Sequence, residues 1–514
     1  MLMSTMRGLL MAMAVAVSAA LLAAPPAAAQ GEPQSGGTLT VGFPSDSKTF
    51  DPTFSVQFTE RQVLYLVYNT LVAFGPDFSI QPELAESWTI EDDGKSLVFK
   101  LREGIKFHDG TDFNAEVVKW NIERRLDPDV GSPQLQQLEP IIESVEAVDD
   151  FTVRFNLKQR SPGLLSLLGE RPGFMISPAA AETHGEDLGD NPVGTGPFVF
   201  KEWVKGSHIT VERNPDYWQE GKPYLDEIVF RDIADSVVGI QRLLTGEIDY
   251  VGDISAQEVR QLEGRDDINL YPIAVGRWYS LQWHVYEPPF DNAKLRQAVA
   301  HAIDKKRIND IVMNGKGTIS QGPTPPSLWW HNADAESYPY DPDKAKALLA
   351  EAGYADGFKY VLSTPQVGVF QQINQLIQEQ LADVGVDMRL DPVASSEWYD
   401  RVVKRATNVT PTRWTQRPDP DGLLYILFHK DGYANTTGYD NPRVNELLEE
   451  ARNTYEQETR KAIYDEVQSI LAKDVPMLPL FFSVEYAALR DDVKGFEWIP
   501  DQIARFRDLW KAAY

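Results

Sequence analysis

The stretch Asn191–Arg231, NPVGTGPFVFKEWVKGSHITVERNPDYWQEGKPYLDEIVFR, decides the fold. It opens with Asn191–Pro197, where glycines permit positive φ and prolines fix φ, so the sequence predicts a built turn. Three strand-like runs follow, at Phe198–Trp203, His208–Arg213 and Glu227–Arg231. We interpret the stretch as the point where the chain returns to a lobe that it began earlier.

Length, charge and cysteine content limit the possible classes of protein. A chain of 514 residues is too long for one core, so two or three lobes are expected. Its hydrophobic content of 43% and 12 tryptophans can fill large cores. The net charge of −27 argues against nucleic acid and against a polybasic membrane surface as partners. With no cysteine, disulfides, thiolate catalysis and thiolate metal sites are excluded.

The amino-terminal residues indicate export. Arg7 precedes a 16-residue run without charge, Leu9–Ala24, and Ala27–Ala29 supply small residues for cleavage. This pattern predicts a signal peptide at residues 1–29, cleaved near Ala29, and a soluble periplasmic protein. An uncleaved membrane anchor is the alternative, but a span needs about 20 apolar residues. No cysteine follows that could carry a lipid anchor.

Two further regions show different patterns of secondary structure. Leu97–Leu101 and Phe151–Leu157 alternate apolar and polar residues as half-buried strands do, and Asn114 can cap a helix between them. This favours a small α+β lobe. Later, a helical stripe at Ile373–Val384 ends at a glycine before a strand at Val386–Leu390. That order is typical of an α/β lobe with a partly parallel sheet.

Several motifs together resemble a known family. The sequence is similar to the large extracytoplasmic solute-binding proteins of ABC importers, the dipeptide/oligopeptide-binding type known as family 5, over nearly the whole mature chain. The motifs are PELAESW (Pro82–Trp88), FHDGTDFNAEVVKW (Phe107–Trp120), NPVGTGPF (Asn191–Phe198), NPDYW (Asn214–Trp218), GKPYLDEIVFR (Gly221–Arg231) and PPFDNAKLRQAVAHAID (Pro288–Asp304).

The resemblance implies a fold. We expect an α/β, periplasmic-binding-protein-like architecture, with two large lobes, a cleft and a hinge, and a small α+β lobe inserted in the first. The crossovers near residues 275 and 484 would form the hinge. The implied lobes are 30–64, 190–275 and 484–514 for lobe I, 65–189 for lobe II, and 276–483 for lobe III.

Motifs for catalysis, metals and cofactors are weak. None of the seven histidines has metal-ligand spacing, and there is no HExxH, nucleophile elbow or P-loop. His108 and Asp109 could bind a metal or catalyse, but the resemblance implies a structural turn. The acidic run after Arg417 approaches a calcium loop, yet Arg417 and Phe428 stand at ligand positions. No catalytic residue, metal or cofactor is expected.

Trp414 and Arg417 are the main candidates for ligand binding. A flat indole can stack on a ligand, and a guanidinium fork suits a carboxylate or phosphate. Alternatively, Trp414 fills a core and Arg417 pairs with Asp419 or Asp421. Peptide-binding members of the family place an aspartate, which binds the α-ammonium, three residues after the equivalent of Trp414. Arg417 stands there instead, which favours an anionic or neutral polar solute; a peptide with Asp419 as anchor is the other reading.

The opposite wall of the cleft is also predicted from the resemblance. Family members line the cleft with the segment that corresponds here to Ser55, Val56, Gln57 and Phe58; an ordinary loop is the alternative. Further wall candidates near the hinge are Trp278, Tyr279, Gln282 and Phe481–Ser483, including Phe482.

These observations predict binding, not chemistry. The protein would be the periplasmic component of an ABC transporter, a monomer that captures a small polar solute, peptide-type or non-peptide and anionic, between its lobes. It would deliver that solute to inner-membrane permease subunits, with no role for nucleic acid. A secreted hydrolase with scattered catalytic carboxylates is the alternative from another class.

Overall fold

The computed structural model describes residues 32–43, 47–273, 277–499 and 501–512. The predicted signal peptide and its cleavage site lie outside the described residues. No helix in these ranges is long and apolar enough to cross a membrane.

Strands occur along the whole of the described chain. Their bounds are β1 (Thr38–Phe43), β2 (Val72–Phe74), β3 (Ile80–Pro82), β4 (Ala85–Glu91), β5 (Ser96–Leu101), β6 (Ile142–Asp149), β7 (Thr152–Leu157), β8 (Phe198–Val204), β9 (His208–Arg213), β10 (Glu227–Asp232), β11 (Tyr250–Ile254), β12 (Ile268–Ile273), β13 (Trp278–Trp283), β14 (Thr318–Ile319), β15 (Phe358–Pro365), β16 (Val386–Val393), β17 (Val409–Trp414), β18 (Met477–Phe482), β19 (Glu485–Arg490), β20 (Val493–Lys494) and β21 (Trp510–Lys511).

Helices are concentrated between residues 293 and 474. The α-helices are α1 (Glu60–Val67), α2 (Ala115–Leu126), α3 (Leu135–Leu138), α4 (Leu164–Leu167), α5 (Pro178–His184), α6 (Ser236–Thr245), α7 (Ala293–His301), α8 (Lys305–Val312), α9 (Pro342–Glu351), α10 (Gly368–Ala382), α11 (Ser395–Val403), α12 (Ile426–Phe428), α13 (Pro442–Arg452) and α14 (Gln457–Asp474). Short 3₁₀ or π turns occur at Asp92–Gly94, Arg171–Gly173, Gly185–Gly189, Glu258–Gln261 and Asp421–Tyr425.

The first large sheet has seven strands in the order β12-β19-β11-β1-β10-β9-β8. Strands β8, β9 and β10 are the three runs predicted from the deciding stretch, and they form its antiparallel edge. Next to them, β1 pairs in parallel with both β10 and β11. The sheet therefore combines the beginning, the middle and the carboxyl-terminal part of the chain. Apolar clusters cover both of its faces.

A smaller antiparallel sheet, β4-β5-β7-β6, carries helix α2 and has its own core. The side chain of Asn114 accepts a hydrogen bond of 3.1 Å from the backbone N–H of Val117, as an N-cap does. This unit supplies the α+β lobe that the sequence predicts.

The second large sheet has the order β14-β18-β13-β17-β15-β16. Strands β15 and β16 are parallel, which agrees with the helix–glycine–strand pattern. Gly357, before β15, has a φ of +77°, and a Cβ there would lie 1.8 Å from the carbonyl oxygen of Gly385. Only glycine allows this close approach of the two loops.

The chain connects the two large sheets twice, between Ile273 and Arg277 and between Phe482 and Glu485. Arg277 and Ser483 lie side by side, because the N–H of Ser483 donates to the carbonyl oxygen of Arg277 at 2.8 Å. The predicted crossovers near residues 275 and 484 coincide with these two connections. That they form a hinge, and the exact lobe boundaries, stay predictions.

Candidate functional site

The register of the second large sheet brings three predicted aromatic residues together. Trp278 on β13 lies opposite Trp414 on β17 and opposite Phe482 on β18. Directly opposed residues share one face of a sheet, and all three side chains pack in one apolar cluster. Trp278 and Phe482 are buried, while Trp414 is partly exposed. Of the three, Trp414 is therefore the one in contact with solvent.

Tyr279 lies on the other face of the same sheet. Its ring packs at 5.3 Å from that of Phe481 and at 5.5 Å from that of Phe370, within the core beneath α10. Because side chains alternate along a strand, consecutive residues such as Trp278 and Tyr279 face opposite sides. The structure therefore does not bring Tyr279 or Phe481 together with Trp414.

Gln282 and Ser483 are engaged within the protein. The side-chain amide of Gln282, which is buried, donates to the hydroxyl of Thr436. Ser483 is also buried, and its hydroxyl donates to the carbonyl oxygen of Arg277 at 2.8 Å. Both residues support the sheet and the passage between sheets in this structure.

Arg417 is exposed and makes no hydrogen bond or ion pair with any residue that the structure describes. The two carboxylates with which it could have paired have other partners. Asp419 accepts from Arg460 at 2.8 and 2.9 Å, and Asp421 accepts from Arg452 at 2.7 and 3.2 Å. The structural reading of Arg417, an ion pair with one of these acids, therefore does not hold.

The pKa values of Arg460 and Asp421, one member of each ion pair beside Arg417, are shifted by burial and by the partner's charge. Burial lowers the pKa of Arg460, but the Asp419 carboxylate raises it and the net shift is upward. Burial raises the pKa of Asp421, and Arg452 offsets only part of that shift. Both carboxylate oxygens of Asp419 already accept a charged donor. Asp419 therefore stabilises the fold through its ion pair with Arg460.

The segment from Ser55 to Phe58 precedes α1 and is fixed by contacts of its own. The hydroxyl of Ser55 donates to Glu60 at 2.7 Å. Arg171 donates to the carbonyl oxygens of Val56 and Gln57 at 3.2 and 2.7 Å. The guanidinium of Arg61 lies 5.0 Å from the ring centre of Phe58. Only the side chain of Val56, which is 59% exposed, is presented fully to solvent.

The carboxyl-terminal tail contributes to a cavity that the sequence did not predict. This cavity of about 170 Å³ lies between the end of α1 and the tail, and Tyr65, Phe74, Ile499 and Arg505 are among its lining residues. Phe74 and Ile499 also pack in the cluster that holds Trp414. The cavity therefore borders the apolar cluster to which Trp414 also belongs.

His108 and Asp109 form the structural turn that the resemblance implies. The backbone N–H of His108 donates to the carbonyl oxygen of Gly194, and its ring Nε2 lies 2.9 Å from that of Gly196. Asp109 accepts hydrogen bonds from Ser177 and Thr111. Within the described ranges, no group of three or more His, Asp or Glu side chains could hold a metal ion.

Comparison with known proteins places these features in a family. Residues 79–435 match the family described as bacterial extracellular solute-binding proteins, family 5 Middle. The glutathione-binding protein GsiB of Escherichia coli (strain K12) is 33% identical over 486 residues, which cover 91% of this chain and 94% of that protein.

Solved structures agree. DppA from Helicobacter pylori in complex with the peptide STSA is 30% identical, with a TM-score of 0.76, covering 93% of this chain and 98% of that one. HbpA2 from Haemophilus parasuis is 26% identical, with a TM-score of 0.87 and coverage of 93% and 100%. AgaA from A.tumefacien R10, solved with agropinic acid, is 27% identical, with a TM-score of 0.73 and coverage of 93% and 99%.

The matched residues span both large sheets, and the α/β architecture is that of two-lobed periplasmic binding proteins. The relatives are binding proteins and give no support to a secreted hydrolase. The chain belongs to family 5 of the bacterial extracellular solute-binding proteins, and it is a solute-binding component of an ABC importer.

Proposed function

We propose that the solute of this protein carries at least one carboxylate, which Arg417 binds while Trp414 packs against the rest of the molecule. One observation carries the proposal: Arg417 has no partner among the described residues, because the two aspartates that follow it, Asp419 and Asp421, are both paired with other arginines. A guanidinium fork binds a carboxylate through two parallel hydrogen bonds, and such charge-assisted bonds are the strong ones.

The ligands of the relatives share this chemistry. GsiB is named for glutathione, DppA was solved with a peptide, and AgaA was solved with agropinic acid. Each of these ligands is an organic acid, although they differ in size and in their amino groups. The carboxylate is the feature that one arginine can recognise in all of them.

A peptide whose α-ammonium binds Asp419 is the second candidate. It is favoured by the peptide-binding relatives, but Arg460 already occupies both oxygens of Asp419. A cation at position 417 would also repel an ammonium group placed beside it. We therefore place a carboxylate, rather than an ammonium, next to Trp414.

The remaining parts of the proposal concern the setting. A signal peptide at residues 1–29, cleaved near Ala29, would export the protein to the periplasm, where it acts as a monomer without cofactor, catalysis or nucleic acid. Lobe I at 30–64, 190–275 and 484–514, with lobe II at 65–189, would close over the solute against lobe III at 276–483. The ligand selects the closed form by binding it more tightly, and that form engages the permease.

The test begins with the acid that co-purifies with the protein, identified by mass spectrometry after denaturation. Isothermal titration with that acid, and with glutathione and gluconate as defined probes, then compares wild type with Arg417→Ala and Arg417→Lys. We expect Arg417→Ala to weaken binding by about 10- to 100-fold, since a charged hydrogen bond contributes about 1.5–3 kcal/mol. Arg417→Lys should recover only part of the loss.

Arg389→Ala is the matched control, because it removes the same charge from an exposed position on the edge strand β16. Its affinity should equal that of the wild type. If Arg417→Ala binds every acid as well as the wild type does, the proposal is wrong. Tight binding of a peptide that Asp419→Asn abolishes would favour the second candidate instead.

A further inference from the structure

The small lobe is hydrogen-bonded to the segment between α13 and α14, two helices that pack on the second large sheet. Arg160 follows β7 of the small lobe, and its Nη1 donates to the carbonyl oxygen of Asn453 at 3.0 Å. The hydroxyl of Tyr455 donates to the carbonyl oxygen of Gly94 at 2.9 Å and accepts from the backbone N–H of Ser161 at 3.3 Å. These bonds therefore join two units that have separate apolar cores.

The surface of the small lobe fits Tyr455 closely. Gly94 is buried and has a φ of +85°, and a Cβ at this position would lie 2.8 Å from Cε2 of Tyr455. Arg160 is held from within its own lobe, because its Nε donates to the carbonyl oxygen of Asp93 at 2.6 Å. A side chain at position 94 would push the two surfaces apart, so glycine suits both the backbone and the approach of Tyr455.

Apolar residues of the same lobe make a second contact. Val72 of β2 packs in the core of the small lobe, whereas Phe74 at the end of β2 and Phe78 in the following turn pack in the cluster that holds Trp414. Phe74 and Phe78 are only 6% and 4% exposed. The β2–β3 hairpin therefore reaches from the small lobe into the apolar cluster beneath the candidate site.

The contact also reaches the segment that carries Arg417. A Cβ on Gly163, which precedes α4 of the small lobe, would lie 3.8 Å from the carboxyl carbon of Asp419. Asp419 is paired with Arg460 on α14, the helix that begins two residues after Tyr455. The small lobe therefore meets the helices of the second large sheet on the side where the proposed solute binds.

Separating the two units would transfer these groups to water. Burial raises the pKa of Tyr455, so its hydroxyl stays a hydrogen-bond donor at neutral pH. In the contact, the hydroxyl is matched with a carbonyl oxygen and an N–H; apart, each of these groups would bind water instead. The net gain of such an exchange is modest, so these bonds can shift an equilibrium between two arrangements without locking it.

We propose that Gly94, Arg160 and Ser161 on the small lobe, with Asn453 and Tyr455 on the other side, form a latch that stabilises the closed protein. This inference rests on the proposed function, in which the lobes close over the solute, and it adds a contribution made by protein groups alone. The apparent affinity for a solute depends on the fraction of protein in the binding-competent form. The latch therefore raises the affinity for every solute by the same factor.

Tyr455→Phe tests the latch with the smallest change of shape. The ring stays, but the carbonyl oxygen of Gly94 and the N–H of Ser161 lose their partner in the closed form only. Isothermal titration with the full mature protein uses the co-purified acid and glutathione as ligands. We expect about tenfold weaker binding of each ligand that the wild type binds, with an unchanged ratio between ligands.

Tyr433→Phe is the matched control, because it removes the same hydroxyl from a tyrosine that is 85% exposed. Its affinities should equal those of the wild type. Unchanged affinities in Tyr455→Phe would show that the inference is wrong. A loss for one ligand but not for another would also overturn it, since Tyr455 would then act on the solute and not on closure.

Hydrogen exchange tests the latch without any ligand. The N–H of Ser161 donates across the contact, so its protection reports directly on whether the two units are together. Mass spectrometry of peptides that contain Ser161 should show exchange roughly threefold faster in ligand-free Tyr455→Phe than in the wild type. Exchange at Phe155, which lies within the small sheet opposite Leu97, should not change.

The exchange pattern separates a latch from general loss of structure. If Ser161 and Phe155 both exchange faster, Tyr455 stabilises the whole fold, and the inference is wrong. If neither changes, the hydroxyl does not hold the two units together, and the inference is wrong for that reason. Equal binding of every acid by Arg417→Ala would overturn the proposed carboxylate site, whatever the exchange at Ser161 shows.

Discussion

The charged residues at the two ends of one short segment, Arg413–Asp421, differ in whether they have a partner within the protein. At its start, Arg413 and Arg417 are exposed and unpaired within the described structure, on either side of the partly exposed Trp414. At its end, Asp419 and Asp421 are each held by an arginine from helix α14 or α13. Charge type alone therefore does not show which residues stabilise the fold, whereas pairing within the fold does.

The largest effect is expected at the buried pair. Arg460 and Asp419 have side chains that are 6% and 13% exposed, so Arg460→Ala would leave a carboxylate buried without its partner. We expect a loss of about 3–5 kcal/mol in the free energy of unfolding. Urea unfolding measures it. A loss below 1 kcal/mol would mean that the fold does not depend on the pairing of Asp419 with Arg460. Asp419 could then bind the α-ammonium of a peptide.

Lys305 is a buried cation that has no acid as a partner among the residues that the structure describes. Within that part of the chain its Nζ donates only to the carbonyl oxygen of Ser320, at 3.0 Å, and burial lowers the pKa of Lys305 to about 7. Between pH 7 and the ordinary lysine value of 10.5, the unfolded chain binds a proton that the folded chain lacks. Stability that depends on Lys305 should therefore rise with pH across this window.

Lys305→Met should remove that rise and stabilise the protein at pH 7 by up to about 3 kcal/mol, after allowance for the lost hydrogen bond. Thermal unfolding at several pH values from 6.5 to 9.5 measures both effects. Lys306→Met, at the exposed neighbouring position, is the control. A variant whose stability parallels the wild type at every pH would contradict the prediction.

The second ion pair of the segment should matter less. The side chains of Arg452 and Asp421 are 32% and 26% exposed, so solvent screens their attraction. Arg452 also lies 3.4 Å from the ring centre of Tyr425. We expect Arg452→Ala to cost about 1–2 kcal/mol in urea unfolding. If Arg452→Ala and Arg460→Ala lower the free energy of unfolding equally, burial does not explain how much each ion pair contributes to stability.

The smallest effect on stability belongs to the unpaired end. Arg413→Ala and Arg417→Ala should change the free energy of unfolding by less than about 0.5 kcal/mol, as exposed substitutions usually do. By the proposed function, Arg417→Ala should nevertheless lose ligand affinity. A substantial loss of stability in either variant would show that this arginine stabilises the fold. The two ends of the segment would then not differ as described.

Most residues of the candidate site could be predicted from the sequence. Which of them lie on the same face of the second large sheet could not. Trp414 and Arg417 were identified by motif and by residue chemistry. Trp278, Tyr279 and Phe482 were grouped by position along the chain, and the sheet then separated Tyr279 from the other two. Alternation along a strand explains the separation, yet it becomes visible only when the strand and its partners are known.

Local structure and family membership could be predicted from the sequence, because turns, caps and apolar periodicity depend on residues close in the chain. The strands after Pro197 and the N-cap at Asn114 are examples. Only the tertiary structure decided which charges remain unpaired. Arg460 is 41 positions from Asp419 and Arg452 is 31 positions from Asp421, so these ion pairs form only when distant parts of the chain fold together.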